Sequence, residues 1–289
     1  YKRQQVNLSR TQRRKLAADD LADARTQLQQ LGKLSDPVNP QPEALAEFVK
    51  SHPESLWLPV ARDLLARTRI NTEALGAMDA DRLRNALVAL IRRWQRAALS
   101  GSVEALQPVR ATFREMMAAQ RTALHELAGD ADQNTRAMAT FCVAFGDQPA
   151  DLTVVTRACA DASERVRIWA AYGLAERRDP NTDLDVLLKL LGDAHPKVRV
   201  RACQATRACV PIDSPRRGEF ARRLLRMVAG DPDDLVHPPA AQALDALATE
   251  EELPALIEAE AQEEVPSARW QLEATIRRLG GKPESASDD

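Results

Sequence analysis

Residues 161–179, DASERVRIWAAYGLAERRD, and residues 193–210, DAHPKVRVRACQATRACV, each open on an aspartate, place an arginine six positions later and continue through small and apolar residues. The same spacing returns five times, as Asp130…Arg136, Asp161…Arg167, Asp193…Arg199, Asp231…His237 and Glu263…Arg269, at successive offsets of 31, 32, 38 and 32 residues. Nine, twelve and thirteen positions after each acid stand Ala139, Cys142 and Val143; Ala170, Gly173 and Leu174; Ala202, Ala205 and Thr206; Ala240, Ala243 and Leu244; and Leu272, Thr275 and Ile276. Spacings of three and four put such residues on one side of a helix. A period of this length denotes stacked supersecondary units, none of which can bury its apolar face alone. The expected fold is all-α, an α-α superhelix.

Four segments follow. Residues 1–35 carry a basic N-terminal helix, 8–31, with Leu21, Ala24, Leu28 and Leu31 on a thin apolar stripe. Asp36, Pro37, Asn39, Pro40 and Pro42 break it, because prolines end helices and stiffen connections. Residues 36–129 keep helical periodicity over 43–50, 56–69, 79–99 and 103–128 but lose the repeat, as a helical cap or as degenerate units. Residues 130–280 hold the five regular units, with helices expected at 163–175, 184–191, 196–208 and 217–228. Pro196 and Pro266 each fall three residues after a repeat acid, where a first-turn proline costs no hydrogen bond. The Gly-, Ser- and acid-rich stretch 280–289 reads as a flexible tail.

Bulk composition narrows the function. A formal charge of −2 and a pI near 6.2 oppose a surface shaped for a polyanion, so nucleic acid is disfavoured as a partner. Seven Phe and Tyr and four Trp leave little material for base-stacking platforms. Cys142, Cys159, Cys203 and Cys209 lie in apolar helical contexts without a CxxC, which reads as buried free thiols. Such thiols suit the cytoplasm or the cytoplasmic face of a membrane, with a periplasmic location left open. No His pair or His/Cys cluster suggests a metal, and no cofactor is implied. Arginine outnumbers lysine 33 to 7, as in GC-rich bacterial genomes.

The D-x-x-x-x-V-R-x-x-A core of 161–179 and 193–210 resembles HEAT repeats of the short, phycobilin-lyase-like kind, over about 130–280. That resemblance implies a HEAT/armadillo-like solenoid with an N-terminal helical extension, of a class that mostly binds other proteins. It fixes function poorly, because one scaffold serves many partners. The fourth unit departs by His237 in place of arginine and by Pro238 and Pro239, which delay its helix; the fifth carries Leu272 where alanine is usual. Two other classes with related repeats stay open. HEAT-like DNA glycosylases use Trp, Asp and Arg near the damaged base, echoed here only by Trp169 and Arg167. Bilin lyases handle tetrapyrroles, for which no chromophore pocket is legible.

Among polar residues the repeated acid and base dominate. Asp130, Asp161, Asp193, Asp231 and Glu263, with Arg136, Arg167, Arg199 and Arg269, read as a structural ladder in which each arginine reaches a neighbouring repeat's acid and helix-end carbonyls. Neighbouring acids such as Glu250-Glu251-Glu252 point about 100° apart on a helix and make no acid/base pair. G-x-S-x-G, G-x-x-x-x-G-K-[ST] and G-x-G-x-x-G are all missing, and no catalytic residue is assigned. The four tryptophans, with Trp169 and Trp270 at nearly the same repeat phase, are expected in core or inter-repeat packing.

Two places invite a partner. The third unit's six-residue surplus delivers Arg216, Arg217, Arg222, Arg223 and Arg226, and insertions in repeat proteins map to loops on one face. Lys2, Arg3, Arg10, Arg13, Arg14 and Lys15 form an acid-free run that reads as a membrane-surface or partner contact, and as the cytoplasmic flank of a membrane helix preceding Tyr1. The expected function is a non-catalytic scaffold or adaptor that holds another protein, as the soluble part of a membrane-associated complex in one version.

Overall fold

The computed structural model describes residues 26–31, 42–53, 55, 57–58, 61 and 78–284. All regular structure among them is helical, and the chain divides into two compact units, 1–112 and 113–289. In the first unit, helix α1 (Pro42–Ser51) contributes Phe48 to a small core with Leu31, Trp57 and Ala61. Helix α2 (Ala80–Leu99) starts where Asp79 accepts the Arg82 N–H at 2.8 Å, supplying an acceptor to the otherwise unpaired first turn. Its buried face is Leu83, Leu87, Leu90, Ile91, Trp94 and Ala97, at helical spacing. Helix α3 (Val103–Leu127) carries Pro108 and departs from helical geometry at Gln120.

The second unit is built in two layers. The first layer comprises α4 (Gln133–Val143), α6 (Glu164–Arg177), α8 (Pro196–Cys209), α10 (His237–Leu247) and α12 (Pro266–Arg278), each packed on the next. The second comprises α5 (Pro149–Ala158), α7 (Leu184–Leu190), α9 (Arg217–Gly230) and α11 (Leu253–Gln262), each packed against the first-layer helix of the following repeat. All fifteen repeat-phased small and apolar positions are buried. Burial of apolar surface at about 25 cal/mol per Å² is what a lone helix pair cannot achieve and a stack can.

Small residues set the layer spacing. A Cβ on Gly173 of α6 would stand 2.7 Å from Ala144 Cβ, so α4 and α6 approach as closely as they do because this position has no side chain. Helix α10 starts six residues after its repeat acid rather than three, with Pro238 and Pro239 in its first turn, where a missing N–H is tolerated. Ahead of α11, Glu252 closes a capping box on Thr249, whose N–H it accepts at 2.9 Å.

Two expectations fail in the second unit. The start of the presumed flexible tail is packed: Gly280 takes φ +79, Gly281 N–H donates to Ile276 O at 2.9 Å, Pro283 is buried, and Glu284 N–H reaches the buried Glu260 carboxylate at 3.0 Å. Left-handed glycine lets the chain turn back and cover the end of α11, which composition alone does not reveal. Trp270 is not core but 65% exposed on α12, on a side that no helix covers among the described residues. The remainder of the tail, 285–289, and most of the N-terminal helix lie outside the described residues.

Candidate functional site

The acids and bases of the repeat meet across every junction. Arg136 donates from Nε and Nη2 to the two carboxylate oxygens of Asp161, both at 3.0 Å. Arg167 does the same to Asp193 at 2.7 and 3.0 Å, and Arg199 to Asp231 at 2.7 and 2.6 Å. In each case Nη1 turns back to its own repeat, donating to the carbonyls of Asp130 and Ala131, of Asp161 and Ala162, or of Asp193 and Ala194, at 2.8–3.2 Å. Each acid also accepts the N–H two residues on, from Asp132, Ser163, His195, Asp233 or Val265. One planar guanidinium thus ties the turn before its own helix to the turn before the next, a fork that lysine cannot reproduce.

The electrostatics follow from this geometry. The hydrogen bonds they donate to the facing aspartates raise Arg136, Arg167 and Arg199 above the usual arginine value. For Asp161 and Asp193 desolvation opposes ionisation, yet the arginine fork and the backbone N–H outweigh it and hold both carboxyls below their usual value. At the fourth junction His237 stands in the arginine's place, with Nδ1 3.1 Å from Glu263 Oε1 and Nε2 3.0 Å from Asp231 O. Both partners are acceptors, so only the doubly protonated ring satisfies both. At the end of the ladder Arg269 donates to Glu263 O and meets no carboxylate among the described residues, and its Nε is buried without a partner.

A second set of arginine contacts was not legible in the repeat. Arg177 donates to the carbonyls of Gly146 and Gln148, and Arg278 to those of Asp245 and Ala248, so the C-terminal ends of α6 and α12 each pin the loop of the preceding repeat. The available signal was a base fifteen or sixteen positions after the repeat acid, present in only these two units. Asp151, fully buried, accepts the Gln148 N–H at 2.9 Å and lies 2.8 Å from His125 Nε2. This pair closes the loop before α5; among the described residues the His125 ring bonds no hydroxyl or thiol that could serve as a nucleophile.

The five arginines of the third-unit surplus separate into two kinds. Arg216 pairs with Asp185 and Glu219, each at 2.8 Å. Arg217 donates to Leu247 O and to Thr249 Oγ1, and Arg223 to Leu191 O at 3.2 Å. Arg217 and Arg223 thus hold the helix ends of neighbouring repeats, and Arg216 ties the start of α9 to α7. Arg222 and Arg226 are exposed on α9 with no ion pair among the described residues, one turn apart on one face. The run Lys2, Arg3, Arg10, Arg13, Arg14 and Lys15 lies outside the described residues.

On the first layer, Arg201 lies over the Tyr172 ring at 3.9 Å in an open groove of about 390 Å³. Trp169 packs edge-on against Phe141 at 4.8 Å, while Arg167 beside it is committed to Asp193, so the Trp/Arg echo of a glycosylase site does not assemble. All four thiols are buried; burial pushes Cys159 and Cys203 up to about 12 and Cys142 and Cys209 upward as well. No group of three His, Cys, Asp or Glu side chains able to hold a metal occurs among the described residues, and no described helix is long and apolar enough to cross a membrane.

With the layers and their ladder in place, comparison of the sequence with family models matches HEAT repeats over residues 121–207. These residues are HEAT repeats. The matched stretch runs from the end of α3 through α8 and contains the first two complete rungs of the ladder. The HEAT pattern continues structurally through α12, with the same first-layer packing and the same acid-to-backbone contacts. A search of curated proteins finds no match to the chain.

Proposed function

We propose that this chain is a non-catalytic scaffold that holds another protein, with Arg222 and Arg226 on α9 among its anchors. HEAT repeats generally serve protein interaction, which supplies the coarse part of the reading. The finer part rests on one observation. Of the arginines gathered by the third-unit surplus, Arg216, Arg217 and Arg223 are consumed by the fold, whereas Arg222 and Arg226 have no structural task among the described residues. Exposed guanidiniums set one helical turn apart can grip neighbouring carboxylates bidentately, so the partner offers an acidic surface. Affinity then comes from a few such anchors rather than from a deep cavity.

The basic run at 2–15 suits an anionic membrane surface, where each lysine or arginine adds about 1 kcal/mol, and this supports a version of the scaffold held at a membrane. Sedimentation with anionic liposomes, with and without residues 1–15, tests that location; equal pelleting removes it. For the scaffold itself, tagged full-length protein and the R222E/R226E variant are compared by affinity purification and quantitative mass spectrometry. Loss of a discrete partner from the variant is expected, and an unchanged partner profile defeats the assignment of these two residues.

A further inference from the structure

Each first-layer helix presents one side to the repeat that follows it. Positions seven, eleven and fourteen after the repeat acid share that side by helical spacing, and at the first junction Phe141 and Ala144 lie against the site of Gly173. The seventh position is apolar in all five repeats: Ala137, Ile168, Val200, Pro238 and Trp270. It is buried at Ala137 and half-buried at Ile168, Val200 and Pro238, each of which has a following repeat. At Trp270 it is 65% exposed.

The residue before it tells the same story. Arg136, Arg167 and Arg199 each put Nε and Nη2 on the next repeat's aspartate. Arg269 keeps the backward half of that pattern, its bond to Glu263 O, but lacks the forward half: no carboxylate meets it among the described residues, and Nε is buried without a partner. An unmet buried donor and a large exposed indole on one helix side are both costly alone, and both are resolved by the element that resolves them at every earlier junction.

We propose that the open side of α12, carrying Arg269 and Trp270, is a docking end that accepts a helix of a partner protein led by an aspartate or glutamate, as each internal repeat accepts the next. The occupant's chemistry is read from the junctions within the chain. A carboxylate three residues ahead of the partner helix takes the Arg269 fork, and a small-residue face like that around Gly173 and Ala202 covers Trp270. This contact extends the scaffold reading to a second surface, independent of Arg222 and Arg226.

The probe is a fluorescein-labelled, side-chain-stapled peptide of residues 193–210 with both cysteines replaced by serine, shown helical by circular dichroism, so that ordering cost does not mask binding. Anisotropy against the full chain is expected to give saturable binding, weakened tenfold or more by R269Q, by W270A, and by asparagine at the peptide's first residue. R222Q/R226Q leaves it within twofold, which separates failure of this site from failure of the α9 anchors. Absence of saturable binding, or affinity indifferent to R269Q and W270A, overturns the proposal. Sedimentation velocity of the chain alone covers the remaining occupant: a dimer abolished by W270A would assign the surface to self-association and overturn the partner helix.

Discussion

Arg199 and Asp231 close across the junction between the third and fourth repeats through two hydrogen bonds, at 2.7 and 2.6 Å, with only 10% and 5% of their side chains exposed. This is the most enclosed of the three arginine rungs, and the same guanidinium anchors Asp193 O at 2.8 Å. Removing one member leaves the other charge enclosed, at a cost of about 3–5 kcal/mol for buried pairs. R199A is therefore expected to lower the melting temperature measured by circular dichroism, by about 2–4 °C for each kcal/mol lost in a unit of this size. R199K recovers only part of the loss, because a single ammonium cannot hold both carboxylate oxygens and two carbonyls.

The fourth rung is titratable where the others are not. Desolvation lowers the His237 value, but the Asp231 carbonyl and the Glu263 carboxylate outweigh it and hold the ring above its ordinary value. A raised folded value means that the stabilisation is complete below the unfolded value, about 6.5, and fades as pH rises through the folded one. Hydrogen exchange across α12, corrected for intrinsic rates, is expected to be faster at alkaline than at mildly acidic pH. H237R should remove that dependence, whereas H237Q should exchange fast throughout.

Two glycines of the second unit should respond oppositely to alanine. At Gly173 the new Cβ would meet Ala144 Cβ at 2.7 Å, forcing α4 and α6 apart, and overpacking of this kind costs about 1–3 kcal/mol. At Gly230, the last residue of α9, nothing lies within 4 Å of the new atom. Reduced freedom of the unfolded chain then favours alanine by about 0.4–1 kcal/mol. Urea denaturation of the two variants checks both signs.

Burial raises all four thiols, two of them to about 12, so little thiolate forms at pH 8. A disulfide reagent is expected to titrate no fast thiol in the native protein and all four in guanidinium chloride. A rapidly reacting native thiol would show that its helix opens.

The first layer was legible in the sequence because its acid, its base and its small residues recur within each thirty-residue unit, and that local spacing phases α4, α6, α8, α10 and α12. The rungs themselves followed from the chemistry of arginine and carboxylate at that spacing. Arg217 and Arg223 were misread as surface groups because the carbonyls they satisfy, those of Leu247 and Leu191, lie about thirty residues away and carry no side-chain signature. Trp270 shares its repeat phase with half-buried residues, and phase does not report that its side of α12 stays uncovered among the described residues. Gly280 and Gly281 seemed idle, although a left-handed turn and a close approach to Leu253 are what fold the chain back over α11.

Docking through the exposed face of α9 is tested most directly by a photo-crosslinking residue at Ala229, which is exposed on α9 three positions beyond Arg226. The same residue at Arg157, exposed on α5, serves as the control. Irradiation in cells is expected to give a discrete adduct at 229 that R222E/R226E abolishes while the melting temperature stays within about 1 °C, as is usual for surface changes. An adduct that persists in R222E/R226E, or equal labelling at 157 and 229, would contradict it.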